Sequence, residues 1–139
     1  MDEIIVGVDE SATARAAAVE AANLAQRLGR PLHLVMALKK SSAKSISAGG
    51  EQVVLDPISM SDDFLRSLKG ELPGGLEATT SVVNADVAEA LCSEAERLGA
   101  SIIVVGNRRV QNAARVLGAI ALDVAKHAPC NVYVVHTTG

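Results

Sequence analysis

The chain has 139 residues, of which 49% are hydrophobic but only 1% aromatic, and it carries a net charge of −3. That length suits one domain able to bury a core of its own. The charge balance provides no basic field for a nucleic-acid backbone, and the near absence of aromatics (Phe64 and Tyr133) removes the stacking platforms that single strands need.

No run approaches the roughly 18 apolar residues of a membrane span, and the acidic start Met1-Asp2-Glu3 does not resemble a signal peptide. Residues 1–139 are therefore expected to be a single cytoplasmic domain. Cys92 and Cys130 are too few for a disulfide framework or a zinc site and are expected to act as small buried hydrophobes.

The apolar run Ile4-Ile5-Val6-Gly7-Val8 predicts a strand buried on both faces and ending at Asp9. Ser11 is placed to cap a helix whose inner face is Ala14, Ala18, Ala21, Ala25 and Leu28, and Gly29 is placed to end it. A second strand follows Pro31, over Leu32–Leu38. The stretch Lys39–Leu55, rich in serine and lysine and holding Gly49-Gly50, reads as a loop. Asp56-Pro57 opens a helix with Ile58, Leu65, Leu68 and Leu72 on one stripe, broken by Pro73-Gly74-Gly75.

Leu76–Val83 alternates polar and apolar residues, the pattern of an edge strand. Asp86 and Glu89 suggest a capping box for a helix with Ala88, Leu91, Ala95 and Leu98 inward, ended by Gly99. Ser101–Val105 predicts a buried strand stopping at Gly106. A loop from Asn107 to about Leu117 then leads to a last helix with Ile120 and Val124 inward, and Asn131–His136 is the final strand.

Strands alternating with helices imply right-handed crossovers and an α/β fold with a parallel sheet, whose ligands bind at the carboxyl ends of the strands. Asp9 and Gly106 should line that crevice. The segment Gly106–Gly118, GNRRVQNAARVLG, holds Arg108, Arg109 and Arg115 and no acid, and it feeds a helix N-terminus. Arginines beside unpaired N–H groups suit an anion such as phosphate, but they equally suit a solvated loop. The residues alone leave both readings open.

The strand-to-Asp start VGVDES, the Ala-rich first helix, GASIIVVGNRR and RVLGAIALDVAKHAPCNVYVVH together resemble the universal stress protein family, in matching order along the whole chain. The resemblance implies a five-stranded Rossmann-like parallel sheet in the order 3-2-1-4-5, with helices on both faces. It also implies ATP or another adenine nucleotide such as AMP or cyclic AMP, with Mg2+ accompanying ATP, held by a loop of the form G-x2-G-x9-G-[S/T].

On this chain the implied site is Val8 and Asp9 near the ribose or adenine, Ala37 near the base, and Gly106, Arg108, Arg109, Gly118, Ala119 and Ile120 around the phosphates. The match is partial. Arg109 stands where the motif has its second glycine, the spacing to Gly118 is one residue short, and Ala119 replaces the hydroxyl residue.

Other chemistry finds no support. A phosphoacceptor receiver needs an Asp directly after the third strand and a Lys after the last, but Asn84 and Thr137-Thr138 stand there. There is no G-x4-G-K-[ST] loop, His33, His127 and His136 lack metal-ligand spacing, and Ser11 lacks a partner base, so no catalytic residue is assigned. Val132, Tyr133, Val134 and Val135 form an apolar strand that the implied order leaves at an edge, which predicts a homodimer through it. Two functions remain: an adenine-nucleotide-binding stress-response module, and a dimeric interaction module with a degenerate site.

Overall fold

The computed structural model describes residues 2–9, 11–38, 45–48, 51–54, 57–109 and 117–138. In chain order these form β1 (Ile4–Gly7), α1 (Ala12–Leu28), β2 (Leu32–Ala37), β3 (Ser45–Ala48), β4 (Glu51–Val54), α2 (Pro57–Glu71), β5 (Ala78–Val83), α3 (Val87–Leu98), β6 (Ile102–Arg109), α4 (Ala119–His127) and β7 (Asn131–Thr138).

Five strands make one sheet in the order β5-β2-β1-β6-β7, and all four pairings are parallel. Numbered without the small hairpin, that is the expected order 3-2-1-4-5. Alternation along β1 divides the core between the two faces. Ile4, Val6 and Val8 pack with the alanines of α1 and with Leu65 and Leu68 of α2. Ile5 packs on the other face with Leu91 and Ala95 of α3 and Val124 of α4. Helices therefore cover both faces, as a parallel sheet requires.

The ends of α1 follow from sequence. Ser11 accepts from the Ala14 N–H at 3.1 Å, and Gly29 closes the helix in the left-handed conformation at φ 64°. The helix buries Ala17, Ala18, Ala21, Ala22 and Ala25, while Leu28 is exposed. Methyl-sized side chains let its backbone ride close to the sheet. One close approach is at Gly106, where an added Cβ would stand 3.0 Å from Thr13 Cγ2 and 3.1 Å from the Thr13 carbonyl oxygen.

Several expectations are corrected. The Lys39–Leu55 stretch is not simply a loop: β3 and β4 pair antiparallel within it, Ala48 opposite Glu51. Gly49-Gly50 between them is the dipeptide a two-residue hairpin favours, so the signal was present and was read only as a breaker. The strand expected to stop at Gly106 runs on to Arg109, because β7 continues beside it to Thr138.

In α4 the inward residues are Ala121 and Val124, whereas Ile120 is 47% exposed. Asp86 is the N-cap of α3, but its side chain makes no capping bond. Cys92 and Cys130 are half-buried free thiols, and burial pushes both pKa values up, which keeps them protonated.

Candidate functional site

The carboxyl ends of β1, β2 and β6 lie side by side in the sheet, and they bring most of the expected site residues to one edge. Val8 continues β1, its N–H donating to the Val35 carbonyl at 2.9 Å, and its side chain is buried in the core. Asp9 follows it, exposed, with Oδ1 accepting from the Ser11 N–H at 2.7 Å. That bond turns the chain from strand into helix. Ala37 is the half-buried last residue of β2. Arg108 and Arg109 are the last two residues of β6, opposite Thr137 and Thr138 of β7. Arg115 lies outside the described residues.

Gly118 is the N-cap of α4, and Ala119 and Ile120 are its exposed first residues. No side chain of the cap residue closes this helix. Its first-turn N–H groups have no intrahelical partner, and together with the helix dipole they make the place where an anion is favoured.

The two glycines of the motif do different work here. Gly106 sits inside β6 and faces α1, so its lack of a side chain serves the Thr13 contact rather than a loop around phosphate. Gly118 has φ −65°, a value open to any residue, and the nearest atom to an added Cβ is Asn107 Oδ1 at 3.2 Å. Asn107, only 6% exposed, accepts the Gly118 N–H at 2.7 Å and so ties the end of β6 to the start of α4. Sequence reading passed over this residue. Its one signal was a polar side chain directly after the first glycine of the motif.

A second polar group was also missed, and it lies toward the strand starts, away from this edge. His33 on β2 is flanked by Thr79 and Ser81 of β5 and Glu94 of α3. Arg97 donates to both oxygens of Glu94, at 2.6 and 2.9 Å. The Arg97 guanidinium, with smaller help from Ser81 and His33, outweighs burial and holds the Glu94 carboxyl down to about 2. An ionised carboxylate only accepts, so the Ser81 hydroxyl donates to Glu94 Oε1 at 2.7 Å and must accept from His33 Nε2. The group is a closed structural network joining β2, β5 and α3. Among the described residues no cluster of His, Cys, Asp and Glu could hold a metal ion.

Along the sheet edge, Val132 packs into the α3/α4 core and Val135 into the α1 core. Val134 is partly exposed and Tyr133 is 43% exposed. A groove of about 740 Å³ is lined by residues of both β7 and α1, among them Thr13, Ala16, Val19, Tyr133, Val135 and Thr137.

The universal stress protein family model matches residues 1–136. This chain belongs to that family. Comparison with curated protein sequences found no match.

Among solved structures, the universal stress protein UspA from Lactobacillus plantarum is 26% identical, with 96% of each chain covered and a TM-score of 0.65. A universal stress protein in complex with cAMP is 23% identical over 98% of this chain and 97% of that one, with a TM-score of 0.66. A universal stress protein from Archaeoglobus fulgidus in complex with dAMP is 20% identical over 97% and 98%, with a TM-score of 0.61. The universal stress protein fold is thus shared across nearly the full chain. No helix among the described residues is long and apolar enough to cross a membrane.

Proposed function

We propose that this member of the universal stress protein family is a cytoplasmic stress-response module that binds an adenine nucleotide at the carboxyl edge of its sheet. The observation that carries this reading is the start of α4, uncapped by its own residue and tied to the end of β6 by the bond from the Gly118 N–H to Asn107. Ala119 and Ile120 would give backbone N–H groups to phosphate, Asp9 would reach the ribose or adenine, and Ala37 would line the base. Arg108 and Arg109 are the last two residues of β6 and would add positive charge for the phosphate, and Mg2+ would accompany ATP if ATP is the ligand. Support also comes from the relatives crystallised with cAMP and dAMP.

Thermal unfolding of nucleotide-free protein with AMP, cyclic AMP and Mg-ATP tests this. A ligand at 100 times its Kd adds ~2.7 kcal/mol, a shift of several degrees for a domain of this size. Gly118→Asp, which puts a carboxylate among the phosphate donors, should abolish the shift. No shift at millimolar ligand would remove the nucleotide reading.

A second reading rests on the other edge. Among the described residues β7 pairs with β6 alone and leaves Tyr133 exposed beside the α1 groove, and we propose that it forms a homodimer contact. Sedimentation should then show a dimer at micromolar concentration that Tyr133→Lys converts to monomer. A wild-type monomer at every concentration would end this reading.

A further inference from the structure

We infer that Asn107 restricts the proposed crevice to nucleotides carrying a single phosphate. The inference rests on the reading that an adenine nucleotide binds there at all. Asn107 is buried, and its Oδ1 accepts the Gly118 N–H at 2.7 Å. An amide oxygen carries partial negative charge, so it already occupies the position at the positive end of α4 that one oxygen of a larger anion would take. The fit is close, since a Cβ on Gly118 would stand 3.2 Å from that oxygen.

What remains for a ligand is narrow. Ala119 and Ile120 are exposed first-turn residues of α4, their backbone N–H groups would meet two oxygens of one phosphate, and Ala119 adds no hydroxyl. Among the described residues, the backbone donor next to these is the Gly118 N–H, and Asn107 takes it. Residues 106–109 stay extended in register with Val135–Thr138 and do not curl over a second phosphate. A more highly charged anion would also face the negative end of the Asn107 amide dipole.

Isothermal titration of nucleotide-free wild type, Asn107→Ala and Asn107→Asp with AMP and with Mg-ATP tests the inference. Wild type should bind AMP roughly tenfold or more tighter than ATP, the scale of one hydrogen bond to a charged group. Asn107→Ala frees the Gly118 N–H and should close most of that gap. Asn107→Asp keeps the acceptor and adds a full charge, so it should weaken ATP more than AMP, and it serves even where the alanine variant fails to fold.

A purely structural asparagine would lower both affinities together and leave their ratio alone. ATP binding wild type as tightly as AMP, or a ratio unmoved in both variants, overturns the inference and leaves nucleotide binding standing. If neither nucleotide binds wild type, the nucleotide reading falls and this inference falls with it.

Discussion

Glu94 shows how a buried acid is kept charged inside an otherwise apolar layer. Its folded pKa lies near 2, against 4.5 for the free group, chiefly because of Arg97. A depressed carboxylate pKa means the unfolded chain binds more protons between those values. The stabilisation is therefore complete above about pH 4.5 and is lost as pH falls toward about 2. Full conversion of such a shift would exceed 3 kcal/mol, but the Arg97 side chain is 59% exposed and screened by solvent, so ~1–2 kcal/mol is the realistic scale. Glu94→Gln should lower stability by that amount at neutral pH and flatten the loss of denaturation midpoint between about pH 4.5 and 2. An unchanged acid limb in the variant would show that other carboxylates govern it.

Two glycines can be ranked in the same way. Alanine at Gly106 meets the backbone carbonyl of Thr13 at 3.1 Å, whereas alanine at Gly7 meets the Leu91 side-chain methyls at 3.1 Å. A side chain can turn more readily than a helix backbone can retreat. Gly106→Ala should therefore cost ~1–3 kcal/mol and Gly7→Ala clearly less, as read from urea midpoints. Equal losses would mean that α1 shifts freely.

At the level of elements, sequence signals worked where a single local cause decides the structure. Ser11 and Gly29 bound α1 because a hydroxyl cap and a left-handed residue are local requirements. Gly99 ends α3 at φ 63° for the same reason. Neither Gly29 nor Gly99 has an atom within 4 Å of an added Cβ, so alanine there should cost only the backbone strain, ~1 kcal/mol at each site. A much larger loss in thermal unfolding would point to a packing role.

The errors fell where a neighbour decides. β6 outlasts Gly106 because β7 offers it a ladder, and Ile120 stays outside because α4 enters with Ala121 and Val124 toward the sheet. In the β3–β4 hairpin, Ser45-Ile46-Ser47-Ala48 does alternate polar with apolar, but over only four residues inside a stretch rich in serine and lysine, so composition spoke louder than pairing.

For the whole molecule, parallel topology was legible from the alternation of buried strands with helices, and the strand order came with the family resemblance. The edge that gathers Asp9, Ala37 and Gly118 follows from that topology. The internal bond from Asn107 to Gly118 does not, since it depends on where β6 ends and where α4 begins in space.

The order β5-β2-β1-β6-β7 has a consequence in time as well. β1, near the start of the chain, occupies the centre of the sheet, and one of its two neighbours is made of residues 102–109. During synthesis Ile4, Ile5 and Val6 can find β2 early, but their other flank stays open until Ile102, Ile103 and Val104 have left the ribosome. Pairings this distant in sequence are slow to close and leave an apolar strand edge bare meanwhile. The central strand is the first to be made and among the last to be fully paired, so the nascent chain is most open to aggregation before β6 arrives.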